Sequence, residues 1–261
     1  MGDKIFYLYG ITEKKPVVEG IATLGSGLQL LRATNFYAVA EEVPATDFGQ
    51  QALEQNIQQL QWLAEKATVH EAVICAVKKQ TDILPLTFAT LFHSAENLLH
   101  SVEQQSASFN RVFSNIRGTE EWLLKLFVNR DEYQEWYKRQ HRQQLQSRQV
   151  LQGASTGAAY LMRKKLAVDT REILNNSVRE VIAHSVNTLK NCSKNSLRIK
   201  TVGNAGSNSG PELLLSMAFQ VAGSTRNIFL RAVELLQNDF ETRGIRINTS
   251  GPLPVYHFTE Q

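Results

Sequence analysis

Residues 212–221 alternate more cleanly than any other stretch of this chain. Leu213, Leu215, Met217, Phe219 and Val221 fall on one side, and Ser216, Ala218 and Gln220 on the other. A period of two with one apolar side is a strand lying on a core. Such a strand needs a second layer to bury its greasy face, so its neighbours in the chain decide the architecture.

Those neighbours fall in a definite order. Trp122, Leu124, Leu126 and Val128 mark a strand. A long helix follows, ending near residue 189, with Leu174, Val178, Val181, Ile182, Val186 and Leu189 on one face. Residues 197–202 read as a strand, and the glycine- and serine-rich 203–210 as a loop. After the 212–221 strand comes a helix over 225–243, with Ile228, Phe229, Ala232, Leu236 and Phe240 inward and Gly244 at its end. Ile245 and Ile247 alternate with Arg246 and Asn248 in a last strand, which Pro252 is expected to stop. The order β-α-β-β-α-β is the ferredoxin-like arrangement, two helices on one face of an antiparallel sheet.

The first half is a different unit. Residues 5–11 are apolar on both faces, as in a central strand. Residues 28–31 and 36–43 read as a strand pair turning at Thr34-Asn35. Asp47 is placed to cap a helix running to about residue 67, and a second helix is expected over 69–79. The β-rich run 83–92 contains Pro85, which places it at a sheet edge or on a bulge. Ser94 caps a further helix that ends at Gly118. The fold class is therefore α+β, in two domains: an N-terminal α+β domain over 1–117, a ferredoxin-like domain over 118–250, and a short C-terminal tail over 251–261.

Composition limits the functions available. With 28 basic and 25 acidic residues, the net charge of +3 argues against a nucleic-acid or anionic-membrane partner. The predicted outer face of 212–221 carries no aromatic residue on which a base would stack. No segment approaches the length of a membrane span and no export signal opens the chain, so it reads as soluble and intracellular. The six histidines are scattered without metal-ligand spacing. Cys75 sits in an apolar helical run and Cys192 after a helix end, where it is expected to be exposed. Glu41-Glu42 and Glu120-Glu121 are adjacent on strands, so the members of each pair point to opposite faces and cannot act on one atom. No catalytic constellation emerges and no cofactor is expected. The residues point to a protein that works by binding.

Seven stretches, in order, resemble the GvpF/GvpL family of gas vesicle proteins, with the F type favoured. They are IFYLYGI from Ile5, NFYAVAEEVP from Asn35, WLAEKATVHEAV from Trp62, ILPLTFATLF from Ile83, GTEEWLLKLF from Gly118, STGAAYL from Ser155 and GIRINTSGPLPVYHF from Gly244. The family's Phe-Gly-Thr reads Phe88-Ala89-Thr90 here, and the tail lacks the family's tryptophan. The resemblance implies an accessory protein, a minor structural component or assembly factor, that binds the hydrophobic shell protein and other accessory proteins. It implies location on the gas vesicle, with a cytoplasmic stage during assembly, and no enzymatic activity. Leu253, Val255, Tyr256 and Phe258 of the tail, with Leu86, Phe88, Leu91 and Phe92, are the candidate partner-binding residues. The other reading is a sensor of small molecules on the ferredoxin-like domain, although a small-molecule ligand is not expected.

Overall fold

In the computed structural model the structure describes residues 4–141, 156–200 and 210–259, with side chains of 156–170 not described. The chain divides into two compact units. Unit 1 is Met1–Glu121 with Pro252–Gln261, and unit 2 is Trp122–Gly251. The division falls within two strands, and the C-terminal segment counts with unit 1.

Unit 2 holds the 212–221 strand. Its elements are β6 (Thr119–Val128), α6 (Arg130–Gln140), α7 (Thr156–Lys190), β7 (Asn195–Arg198), β8 (Glu212–Ala222), α8 (Arg226–Glu241) and β9 (Ile245–Leu253). The sheet order is β7-β8-β6-β9. Taken as strands one to four of the unit, this is 2-3-1-4, the ferredoxin-like order. The apolar face of β8 packs as expected: Leu215, Met217, Phe219 and Val221 are buried with Trp122, Leu124, Leu126 and Val128 of β6 and with Phe229, Val233, Leu236 and Phe240 of α8. Its other face is not the expected outer one, because Ser216, Ala218 and Gln220 are buried as well. The helical phase of α8 differs from expectation at one point. Ile228 is 60% exposed and Val233 takes the inward position, because a stripe centred on Phe229, Val233, Leu236 and Phe240 keeps three- and four-residue steps throughout. Cys192 is half-buried against this core rather than exposed. The loop at 203–209 lies outside the described residues. β9 continues through Pro252 to Leu253, since an edge strand tolerates a residue that cannot donate on its open side. Gly244, at φ 67, closes α8, and a Cβ there would lie 2.6 Å from the Glu132 side chain.

Unit 1 comprises β1 (Lys4–Thr12), β2 (Leu28–Ala33), β3 (Phe36–Pro44), α1 (Ala45–Phe48), α2 (Gln50–Asn56), α3 (Leu60–Lys78), β4 (Ile83–Pro85), β5 (Leu91–Phe92), α4 (Ala95–Gln104) and α5 (Ser106–Ile116). The expected helix break near residue 68 is not there. The chain breaks instead at 57–59, and α3 runs without interruption, because His70, Val73, Ile74 and Val77 form one buried stripe. The Ser94 side chain accepts the Asn97 N–H and caps α4.

The sheet order is β2-β3-β1-β4, with β5 also pairing β1. β1 is thus central, as its two apolar faces require. One face packs Tyr7, Tyr9, Val39 and Val43 on Phe48 and α3. The other packs Leu8, Ile11, Ala38 and Ala40 on α4 and α5. The 83–92 run forms the interrupted edge strand that Pro85 implies. β4 pairs Gly10–Thr12 and β5 pairs Phe6 and Tyr7, and residues 86–90 bow out between them. Ala89 sits in this bow at φ 62, where the family motif has glycine. The left-handed region costs an alanine about 1–2 kcal/mol, and glycine's greater chain entropy offsets part of the relief. Ala89→Gly is therefore expected to stabilise the protein by roughly 0.5–1 kcal/mol, seen as a higher denaturant midpoint at unchanged slope.

Candidate functional site

The bow at 86–90 is anchored from beneath. The Ala89 N–H donates to Tyr7 Oη at 2.9 Å, and Tyr7 Oη lies 2.9 Å from His70 Nδ1. The His70 ring also hydrogen-bonds the backbone of Leu86. Burial disfavours the imidazolium, and in a neutral ring whose other nitrogen serves the Leu86 backbone, Nδ1 is assigned as the acceptor of the Tyr7 proton. Burial pushes the His70 pKa below its usual value, partly opposed by the Leu86 bond and by nearby Glu71, and burial pushes the Tyr7 phenol up. Neutral His70 is thus the form the fold selects. The unfolded chain binds the proton more readily, so stability is full above pH 6.5 and falls as pH drops from there towards the lowered folded value. Unfolding free energy measured from pH 7.5 to 5.5 is expected to fall more steeply in the wild type than in His70→Gln. Parallel curves would exclude His70 as the source.

Beside this bow lies the C-terminal tail. Pro254 and Val255 are buried, and Val255, 1% exposed, joins the α4–α5 core with Leu86, Phe92 and Phe258 at its margin. Tyr256 joins the opposite cluster with Phe88 and Leu91. The tail therefore spans both faces of unit 1. The candidate residues, more than 160 positions apart in sequence, meet in two groups: Leu86 and Phe92 with Val255 and Phe258, and Phe88 and Leu91 with Tyr256, while Leu253 is in neither cluster. Val255 is a core residue. Leu253, Tyr256, Phe258, Leu86, Phe88, Leu91 and Phe92 are half-buried.

Two carboxylates hold the tail. Glu121, fully buried, accepts the Tyr256 N–H at 2.9 Å and the His257 N–H at 2.8 Å on Oε2. Its Oε1 lies 2.6 Å from His257 Nδ1, which donates. Glu71 on α3 accepts from Tyr256 Oη at 2.5 Å on Oε2 and from the Cys75 thiol at 3.3 Å on Oε1. Burial and the Glu71 partner push the Tyr256 phenol well up and the Cys75 thiol to about 11, so Cys75 stays a protonated donor. The Asn115 side chain donates to the Phe258 carbonyl at 3.1 Å. A third carboxylate, Glu41 on β3, is also fully buried and ties down residues 24–27.

The role of Glu41 and Glu121 as buried acceptors is absent from the sequence reading. Strand parity separates each glutamate from its neighbour, but it does not say which one turns inward or what it meets. Among the described residues no cluster of three or more His, Cys, Asp or Glu is placed to hold a metal. No described helix is long and apolar enough to cross a membrane. The geometry provides apolar surface at a sheet edge and a peptide segment clamped by hydrogen bonds.

The architecture of a ferredoxin-like unit joined to an α+β unit has solved counterparts. The gas vesicle protein GvpF from Anabaena sp. PCC7120 matches with a TM-score of 0.67 at 16% identity, over 99% of this chain and 97% of that one. GvpF from Microcystis aeruginosa matches with a TM-score of 0.64 at 14% identity, over 98% and 99%. These likenesses establish the fold. In sequence, gas vesicle protein L of Streptomyces sp. (strain CB03234) is 33% identical over 129 residues. That alignment spans about half of each chain, 48% in both. The family described as gas vesicle synthesis protein GvpL/GvpF matches residues 5–260, and the chain belongs to it.

Proposed function

We propose that this protein is an accessory factor of gas vesicle formation that binds the hydrophobic shell protein noncovalently and limits its aggregation before the shell closes. One observation carries the reading. At the β4–β5 edge of unit 1, Leu86 and Phe92 gather with Phe258 on one face of the sheet and Phe88 and Leu91 with Tyr256 on the other, leaving half-buried aliphatic and aromatic groups on both faces. A partner with an apolar face gains by covering such a surface, at about 25 cal/mol per Å² removed from water, and an aggregation-prone subunit is kept soluble while it is covered. Other accessory proteins of the vesicle are partners of the same kind. The protein works on the vesicle and, during assembly, in the cytoplasm.

Hydrogen exchange of the full chain with and without purified shell protein tests this. Residues 86–92 and 253–258 are expected to gain protection in the complex. Protection confined to other segments would move the contact off this edge, and failure to form any complex would remove the binding function itself.

A further inference from the structure

The C-terminal tail is docked in a groove of unit 1. Its occupant follows the whole of unit 2 in the chain, yet counts with unit 1. The groove's recognition is specific. Glu121 takes two consecutive main-chain N–H groups and the imidazole of the second residue. Glu71 takes the phenol of the first. The core takes the aliphatic residue before them, and Asn115 takes a carbonyl beyond them. Glu121 has no exposed surface, and every hydrogen bond given above for its carboxylate comes from the tail. Withdrawing the tail would strip the carboxylate of all of those donors and leave water to replace them. A segment of the same chemistry would restore those hydrogen bonds.

We propose that the alternative occupant is the tail of a second copy of this chain, so that two copies exchange their C-terminal segments. A second copy supplies the same proline, aliphatic, tyrosine, histidine and phenylalanine groups in the same register, and its contacts in the groove are identical to those made within one chain. The hinge falls in the last residues of β9. Ser250, Gly251 and Pro252 are exposed, and Gly251 sits at φ 155, a value side chains disfavour. Pro252 and Pro254 hold the segment extended, so little chain entropy is lost when it docks. With equal contacts in both arrangements, the balance is set by effective concentration, on the order of millimolar for a short tether. Exchange is thus a function of local concentration and accumulates where copies are crowded.

The inference concerns this chain alone and does not depend on the shell-protein reading. Its test uses full-length protein with Phe258→p-benzoylphenylalanine, mixed with isotopically heavy wild type at about 10 μM and about 1 mM, below and near the effective concentration, then irradiated. Intermolecular adducts are expected to rise with concentration and to map to the heavy chain around Asn115. Adducts that are only intramolecular at both concentrations overturn the proposal, as do intermolecular adducts mapping outside unit 1. Thr259→p-benzoylphenylalanine, at the half-buried margin of the groove, serves if the first variant does not fold. The intramolecular adduct at low concentration reports that the groove has formed.

Discussion

Glu41→Ala is expected to lower the unfolding free energy by roughly 3–5 kcal/mol, the range for removing one partner of a buried charged network. Glu41 is fully buried in β3. Its Oε2 accepts the Tyr9 hydroxyl at 2.8 Å and the Leu24 N–H at 2.9 Å; its Oε1 accepts the Gly25 N–H at 2.7 Å and the Gly27 N–H at 3.0 Å. Alanine removes the acceptor and leaves a buried hydroxyl and three loop amides without it. The loop fits closely at this point: a Cβ on Gly25 would lie 2.7 Å from the Glu42 carbonyl. Little room exists for the loop to find other partners by shifting. Burial, together with the Glu41 charge, pushes the Tyr9 phenol up, so Tyr9 remains a donor. Glu42 provides the internal control. It points the other way and pairs with Lys4 at 2.8 Å, with both side chains partly in solvent. Glu42→Ala is expected to cost less than about 1 kcal/mol. Denaturant unfolding of both variants measures the contrast. Equal, small losses would show that the four hydrogen bonds at Glu41 are not what holds the loop.

That contrast marks where sequence reasoning reaches its end. Alternation in β8 and the order of elements around it were enough for the ferredoxin-like unit, because strand and helix periods are local properties. Pro85 was enough to send 83–92 to a sheet edge, because a missing N–H excludes a central position. Pro252 was not enough to end β9, since the same missing N–H does no harm on an open edge. The break in the first helical stretch was misplaced by about ten residues, as no glycine or proline marks 57–59 and the buried stripe of α3 appears only once the sheet is in place. Alanine at 89, where the family motif has glycine, still takes the left-handed backbone, anchored by Tyr7. The tail's partners lie furthest from reach. Glu121 and Glu71 are 135 and 185 residues from Tyr256, and no periodicity links positions so distant.

Removing Glu121 should release the tail while unit 2 keeps its own core. Glu121→Ala deletes the acceptor of two backbone amides and an imidazole, and a loss of about 3–5 kcal/mol is expected from unit 1. Val255 then loses three of the hydrogen bonds on its C-terminal side and keeps only those to Glu71 and Asn115, and limited proteolysis should clip the chain near Tyr256 and Phe258 well before it reaches the strands of unit 2. A double-mutant cycle with Tyr256→Phe makes the test sharper. Alone, Tyr256→Phe removes only the hydroxyl donated to Glu71, and a charged hydrogen bond of this kind contributes roughly 1.5–3 kcal/mol. If the tail docks as one piece, its contacts are lost together, and Tyr256→Phe adds almost nothing once Glu121 is gone. The coupling energy should then approach the whole effect of Tyr256→Phe. Strict additivity would mean that the two carboxylates hold separate parts of the segment. In that case the groove would not behave as a single site, and exchange of the tail as a unit between copies would lose its physical basis.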